Sequence, residues 1–173
     1  MPSENQPAEE HASSTPASGA LDKVIDALDR ARASAIAKTA GLPDSVGSTN
    51  DVLCGFSLYG LVRHLTEVER YWIQHVFLGQ NIDFAWSDSE PDGDFQVVDG
   101  TTHSDLAEAY ANAGQITAEV LRGGHPDELA QQPPHGNPAP RSWIAVHLLQ
   151  ETARHCGHID ILRQRIDGRV GIK

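Results

Sequence analysis

Near the C-terminal end of the chain, His147, Glu151, His155 and His158 follow one another at offsets of four, four and three. On an α-helix these offsets put all four side chains on one face. Ile144, Leu148, Ile159, Leu162 and Ile166 continue that face, so it is expected to point into a core. A carboxylate and three imidazoles in a core need partners, because an unpaired buried charge is costly. A divalent metal ion is the most economical partner for them.

A further donor comes from a separate segment. His64 lies three residues after Leu61 and four before Val68, on a second apolar stripe. Glu151 and His155 form the strongest pair, since i,i+4 side chains reach one ion from the same face. With His64 they supply two imidazoles and a carboxylate. Three protein ligands leave a position open for water or substrate, as catalytic zinc sites do. The set suits Zn(II) and could also hold Fe(II), Ni(II) or Mn(II). His147 with Glu151 is equally an i,i+4 pair, and His155 with His158 is an i,i+3 pair, so spacing alone does not choose among them. The alternative without a metal is a group of neutral core histidines hydrogen-bonded to one another and to Glu151.

The elements that must position these residues are helical. Leu21, Val24, Ile25, Leu28, Ala35 and Ile36 form one stripe, which predicts a first helix over residues 21–40, ended by Gly41 and Pro43. Ser57 is a good N-cap for a second helix to residue 78, with Leu58, Leu61, Leu65, Val68 and Trp72 inward. Thr102 and Asp105 have capping-box spacing. The helix they open carries Leu106, Tyr110, Ala113, Ile116 and Val120 inward and stops at Gly123-Gly124. Residues 125–140 contain five prolines and cannot be helical throughout. A last helix is predicted from Ser142 to Asp167-Gly168. Residues 80–104 carry six acidic residues and neither Lys nor Arg, and are read as a solvated acidic loop. Four long amphipathic helices without a convincing strand make an all-α, four-helix bundle with long connections.

Composition narrows the partners. The 173 residues suit one domain with a real core. Residues 1–19 are polar, without apolar periodicity, and are expected to be a disordered tail ahead of a bundle over residues 20–173. The net charge of −11 argues against nucleic acid and against an anionic membrane surface. Neither a secretory signal nor a membrane span is visible. Two cysteines, Cys54 and Cys156, do not suggest a disulfide framework, and the reducing cytoplasm is the expected location.

The segment from Ser57 through His64 to Trp72, SLYGLVRHLTEVERYW, and the segment from His147 to Asp160, HLLQETARHCGHID, resemble the DinB superfamily, as does the closing Ile166-Asp167-Gly168. The likeness is to the branch related to mycothiol-dependent maleylpyruvate isomerases and covers about residues 20–173. It implies a four-helix bundle with a divalent metal on three side chains, one on the second helix and two, four apart, on the last. Carried over by position, these are His64, Glu151 and His155. Many members have His in place of Glu151, while the isomerase-like members have Glu. His158 falls where many relatives have Gln, which implies a role behind the ligands; His147, one turn outside the pair, is also assigned there.

The resemblance further implies a transferase or isomerase that uses a low-molecular-weight thiol such as mycothiol. A free thiol has a pKa near 8.5 and is mostly protonated at neutral pH, whereas metal coordination deprotonates it. Three readings therefore stand. The first is a metal-dependent S-transferase joining a small thiol to an electrophile. The second is a metal-dependent hydrolase. The third is a metal-stabilised stress or interaction protein without turnover. A deep pocket with a basic residue favours the first, a small wet pocket the second, and a metal sealed by His147 or His158 the third. Arg63, Arg70, Arg141 and Arg154 are the basic residues nearest the ligand segments in sequence. Cys156 lies about 100° round the helix from His155, and Cys54 is read as an incidental loop residue. A homo-oligomer is compatible with all three.

Overall fold

The computed structural model describes residues 16–52 and 55–171. Five α-helices and no strand occur among them: α1 (Pro16–Thr39), α2 (Asp44–Gly47), α3 (Leu58–Arg70), α4 (His103–Arg122) and α5 (Arg141–Asp167). The four long helices pack side by side, α1 against α5 and α4, and α3 against α4 and α5. Among the described residues, no helix is long and apolar enough to cross a membrane.

The predicted caps form. The Ser57 hydroxyl accepts from the Gly60 N–H at the start of α3. Thr102 and Asp105 make both bonds of a capping box at the start of α4. At the end of α5, Gly168 adopts the left-handed conformation with φ 77°, which only glycine enters without cost.

Four expectations change. α1 begins at Pro16, so the end of the segment expected as a tail is helical; residues 1–15 and Cys54 lie outside the described residues. α3 does not continue as an α-helix to residue 78. It widens at Tyr71 into a π-helix over Tyr71–Phe77. Ile116 on α4 and Ile166 on α5 are exposed, and Thr117 and Leu121 occupy the inward side of α4 instead. Finally, Asp94 in the acidic loop is buried, at 6% exposure.

The core has two apolar layers. One gathers Leu28 of α1, Ile73 after α3, Leu121 of α4 and Leu148 of α5. The other gathers Ala35, Leu65, Tyr110 and Ile159 from α1, α3, α4 and α5. Between them in the order of each helix lie Arg32, Glu69, Thr117 and Thr152, all buried. The Arg32 guanidinium donates to both oxygens of Glu69, at 2.6 and 3.0 Å. The Thr117 hydroxyl donates to the same carboxylate at 2.7 Å. Two buried charges are tolerated because each satisfies the other's hydrogen-bonding groups. This polar layer ties α1, α3 and α4 together at the level where α5 presents Thr152, one residue from Glu151.

Candidate metal centre

α3 and α5 bring three of the predicted residues together. His64, Glu151 and His155 each offer a ligand atom, and these atoms lie within 4.8 Å of one another. Bonds of about 2.1 Å at tetrahedral angles place ligand atoms roughly 3.4 Å apart, so small side-chain adjustments suffice to close the trio on one ion. Among the described residues, this is the group of donors that meets that spacing. His64 and His155 face each other edge to face, with ring centroids 4.7 Å apart. The Glu151 Oε2 lies 3.6 Å from the His155 Nε2.

Each imidazole is held from behind. The Nδ1 of His64 is 2.6 Å from the Asp94 carboxylate, and Phe95 stacks on the same ring at 4.1 Å. The Asp94 contact assigns the proton to Nδ1 and leaves Nε2 as the lone-pair nitrogen. A carboxylate behind a histidine in this way is the usual arrangement around metal ligands. His155 lies 3.2 Å, Nδ1 to Nδ1, from His158. Burial, helped by the neighbouring His64 and His158, pushes the pKa of His155 down to about 4. Its ring is therefore neutral at pH 7, with a nitrogen available to bind.

Asp94 is the residue that sequence reasoning missed. It sits in a short 3₁₀ turn, Gly93–Phe95, within a loop whose acidity reads as solvation. Two features of α3 dock this turn. The Arg63 side chain donates to the carbonyls of Gly93 and Gln96. Gly60 lets the turn approach, since a Cβ there would lie 2.4 Å from the Phe95 carbonyl oxygen. No periodic pattern announces these contacts. The one visible signal is the glycine at position 60 within an otherwise strong helix.

The other predicted residues fall outside the trio. His158 is exposed and touches it through His155. His147 packs between Trp143, stacked at 5.1 Å, and Trp72 at 4.4 Å; burial lowers its pKa. Of the four arginines, Arg154 pairs with Glu151 at 3.2 Å, Arg70 is held by Glu67, and Arg141 by Glu128 and backbone carbonyls. Cys156 is buried, with its thiol directed to the Ala31 carbonyl and its pKa raised by burial. It is a poor nucleophile.

A cavity of about 330 Å³ opens beside His64, walled by Tyr71, Trp72, Trp86 and Phe95. Tyr71 and Trp72 come from the π-helix, a feature that recurs at functional sites because it rotates side chains out of α-helical register.

The all-α bundle and the match to a DinB-like family model define a helical protein of the DinB type. Within that class the chain belongs to the mycothiol-S-transferase family, which matches residues 23–168. A comparison with curated proteins finds no match.

Loss of the Asp94 contact should be measurable. Asp94→Asn is expected to weaken metal binding about 10–100-fold, the range for a partner behind a metal-bound histidine. Competition with a chromogenic chelator would measure it. An affinity unchanged within twofold would mean that Asp94 does not orient His64.

Proposed function

We propose that the protein is a metal-dependent S-transferase that joins a low-molecular-weight thiol of the mycothiol type to a small electrophile. The observation that carries this reading is the convergence of His64, Glu151 and His155, with a cavity large enough for an organic substrate lined by one of them, His64. Membership of the mycothiol-S-transferase family supports the choice of thiol. The donor set suits a divalent ion, with Zn(II) the best match to two imidazoles and a carboxylate.

When bound there, such an ion lowers the pKa of a coordinating thiol so that the nucleophile is present at neutral pH. The protein's own groups do the rest. Asp94 fixes the tautomer of His64, His158 abuts the outer nitrogen of His155, and Phe95 covers the face of His64. Burial keeps His155 neutral, so it does not compete as a cation with the ion. The sulfur then forms a bond to the electrophilic carbon, a leaving group departs with its electron pair, and the thiol proton passes to water. The reaction belongs in the reducing cytoplasm, where small thiols stay reduced.

A small wet pocket would favour hydrolysis; the cavity is instead walled by aromatic rings, although no Lys or Arg lines it to take a thiol's carboxylate. A fourth protein ligand would favour the non-enzymatic reading, and neither His147 nor His158 joins the trio. The expected result with purified holoprotein is conjugation of a generic electrophile that depends on added mycothiol. Cys156→Ser and Cys54→Ser should each keep most of the activity. Turnover of an ester or amide with no thiol present would replace this reading with hydrolysis.

A further inference from the structure

The cavity beside His64 has a chemical character of its own. Its walls present the rings of Tyr71, Trp72 and Trp86. Tyr71 and Trp86 lie edge to face at 5.7 Å, and Phe84 stacks behind Trp86 at 5.0 Å. Trp72 is braced from α5 by His147 at 4.4 Å. Aromatic walls fixed by other rings lose little freedom when a flat molecule lies against them, and ring–ring contact adds to burial.

The charge around the cavity is of one sign. Asp92 and Asp94 line it, and no Lys or Arg does. Residues 80–104, which form its outer side, contain no cation. The two arginines of α3 that come nearest in sequence are engaged: Arg63 with the Gly93 and Gln96 carbonyls, Arg70 with Glu67. A divalent ion held by the trio would have its charge offset by Glu151 and a bound thiolate, so a carboxylated ligand would lose water beside Asp92 with no net counter-charge, which is unfavourable.

We propose that this cavity is the electrophile subsite, and that it selects flat, uncharged aromatic electrophiles over carboxylated ones of similar shape. The proposal rests on the S-transferase reading for its reaction but on the cavity alone for its binding preference. In the reaction with a chlorodinitroarene, the thiol sulfur bonds to the ring carbon that carries chlorine. The C–Cl bond breaks, chloride leaves with the electron pair, and the thiol proton goes to water.

Two measurements on the full chain test this. In the first, metal-loaded protein with mycothiol is given chlorodinitrobenzene or its carboxylated counterpart, chlorodinitrobenzoate, each corrected for its uncatalysed rate with thiol. The neutral substrate should be favoured in kcat/KM by roughly tenfold, and Asp92→Lys should shrink that preference by roughly threefold or more. In the second, metal-free protein is titrated with unreactive dinitrobenzene, read by saturable quenching of tryptophan fluorescence. Trp86→Ala should weaken that binding by roughly tenfold, and circular dichroism would verify that the variant is folded. Equal use of the two substrates by wild type, or binding unchanged in folded Trp86→Ala, overturns the subsite. If no thiol supports conjugation but dinitrobenzene still binds in a Trp86-dependent way, the transferase reading fails and the neutral aromatic subsite stands.

Discussion

His155→Ala is expected to leave the purified protein without stoichiometric metal, as is His64→Ala. Each change removes one of three ligand atoms that lie within 4.8 Å of one another, and the two residues come from different helices. Neither helix supplies a ready replacement: His158 is exposed behind His155, and His147 is packed against Trp72 and Trp143. The loss in affinity should exceed the roughly 10–100-fold attached to partners behind the ligands. Elemental analysis of protein purified without added metal gives the readout, and thiol-dependent turnover should vanish with the metal. Full occupancy in both variants would sink the ligand set. Full occupancy in Glu151→Ala alone would move the carboxylate's role to His147 or His158.

The second large effect is on the wild-type chain. Chelation should abolish thiol conjugation and also lower the unfolding temperature, and Zn(II) should restore both. The two readouts share one cause. An ion that binds the folded trio but not the unfolded chain stabilises the fold by about 4 kcal/mol when its concentration is 1,000 times Kd. Held by residues of both helices, such an ion would also tie α3 to α5, whose Leu65 and Ile159 share one of the two apolar layers. Differential scanning calorimetry with and without chelator measures the shift. Loss of activity with an unchanged melting temperature would indicate that the ion needed for turnover sits elsewhere.

That His64, Glu151 and His155 are candidate donors, and which helices carry them, was legible in the sequence; the fold brings their ligand atoms within 4.8 Å of one another. An α-helix repeats every 3.6 residues whatever surrounds it, so Glu151 and His155 had to share a face, and the Ile and Leu positions around them showed which face was inward. Capping is equally local: Ser57 and the Thr102–Asp105 pair act on backbone groups within three residues of themselves. The likeness of the two motif segments to the DinB superfamily joined His64 to that pair, which periodicity alone could not do.

Other features depend on contacts between residues far apart in sequence, and these only the tertiary structure decided. Asp94 is buried because Arg63 and Gly60 dock its turn thirty residues away; its own neighbours are acidic and look solvated. The Arg32–Glu69 pair spans 37 residues; helical spacing puts each on the inward stripe of its own helix, but only the packing of α1 against α3 makes each the other's partner. The π-helix over Tyr71–Phe77 is a packing outcome with no periodic signature; Trp72 falls on the inward stripe that helical spacing gives, and only the fold shows that it meets His147. Composition and helical period act along one chain segment at a time. The polar partner behind His64, the aromatic cavity and the sign of its charge arise where segments meet, and that meeting is set by close packing of the bundle.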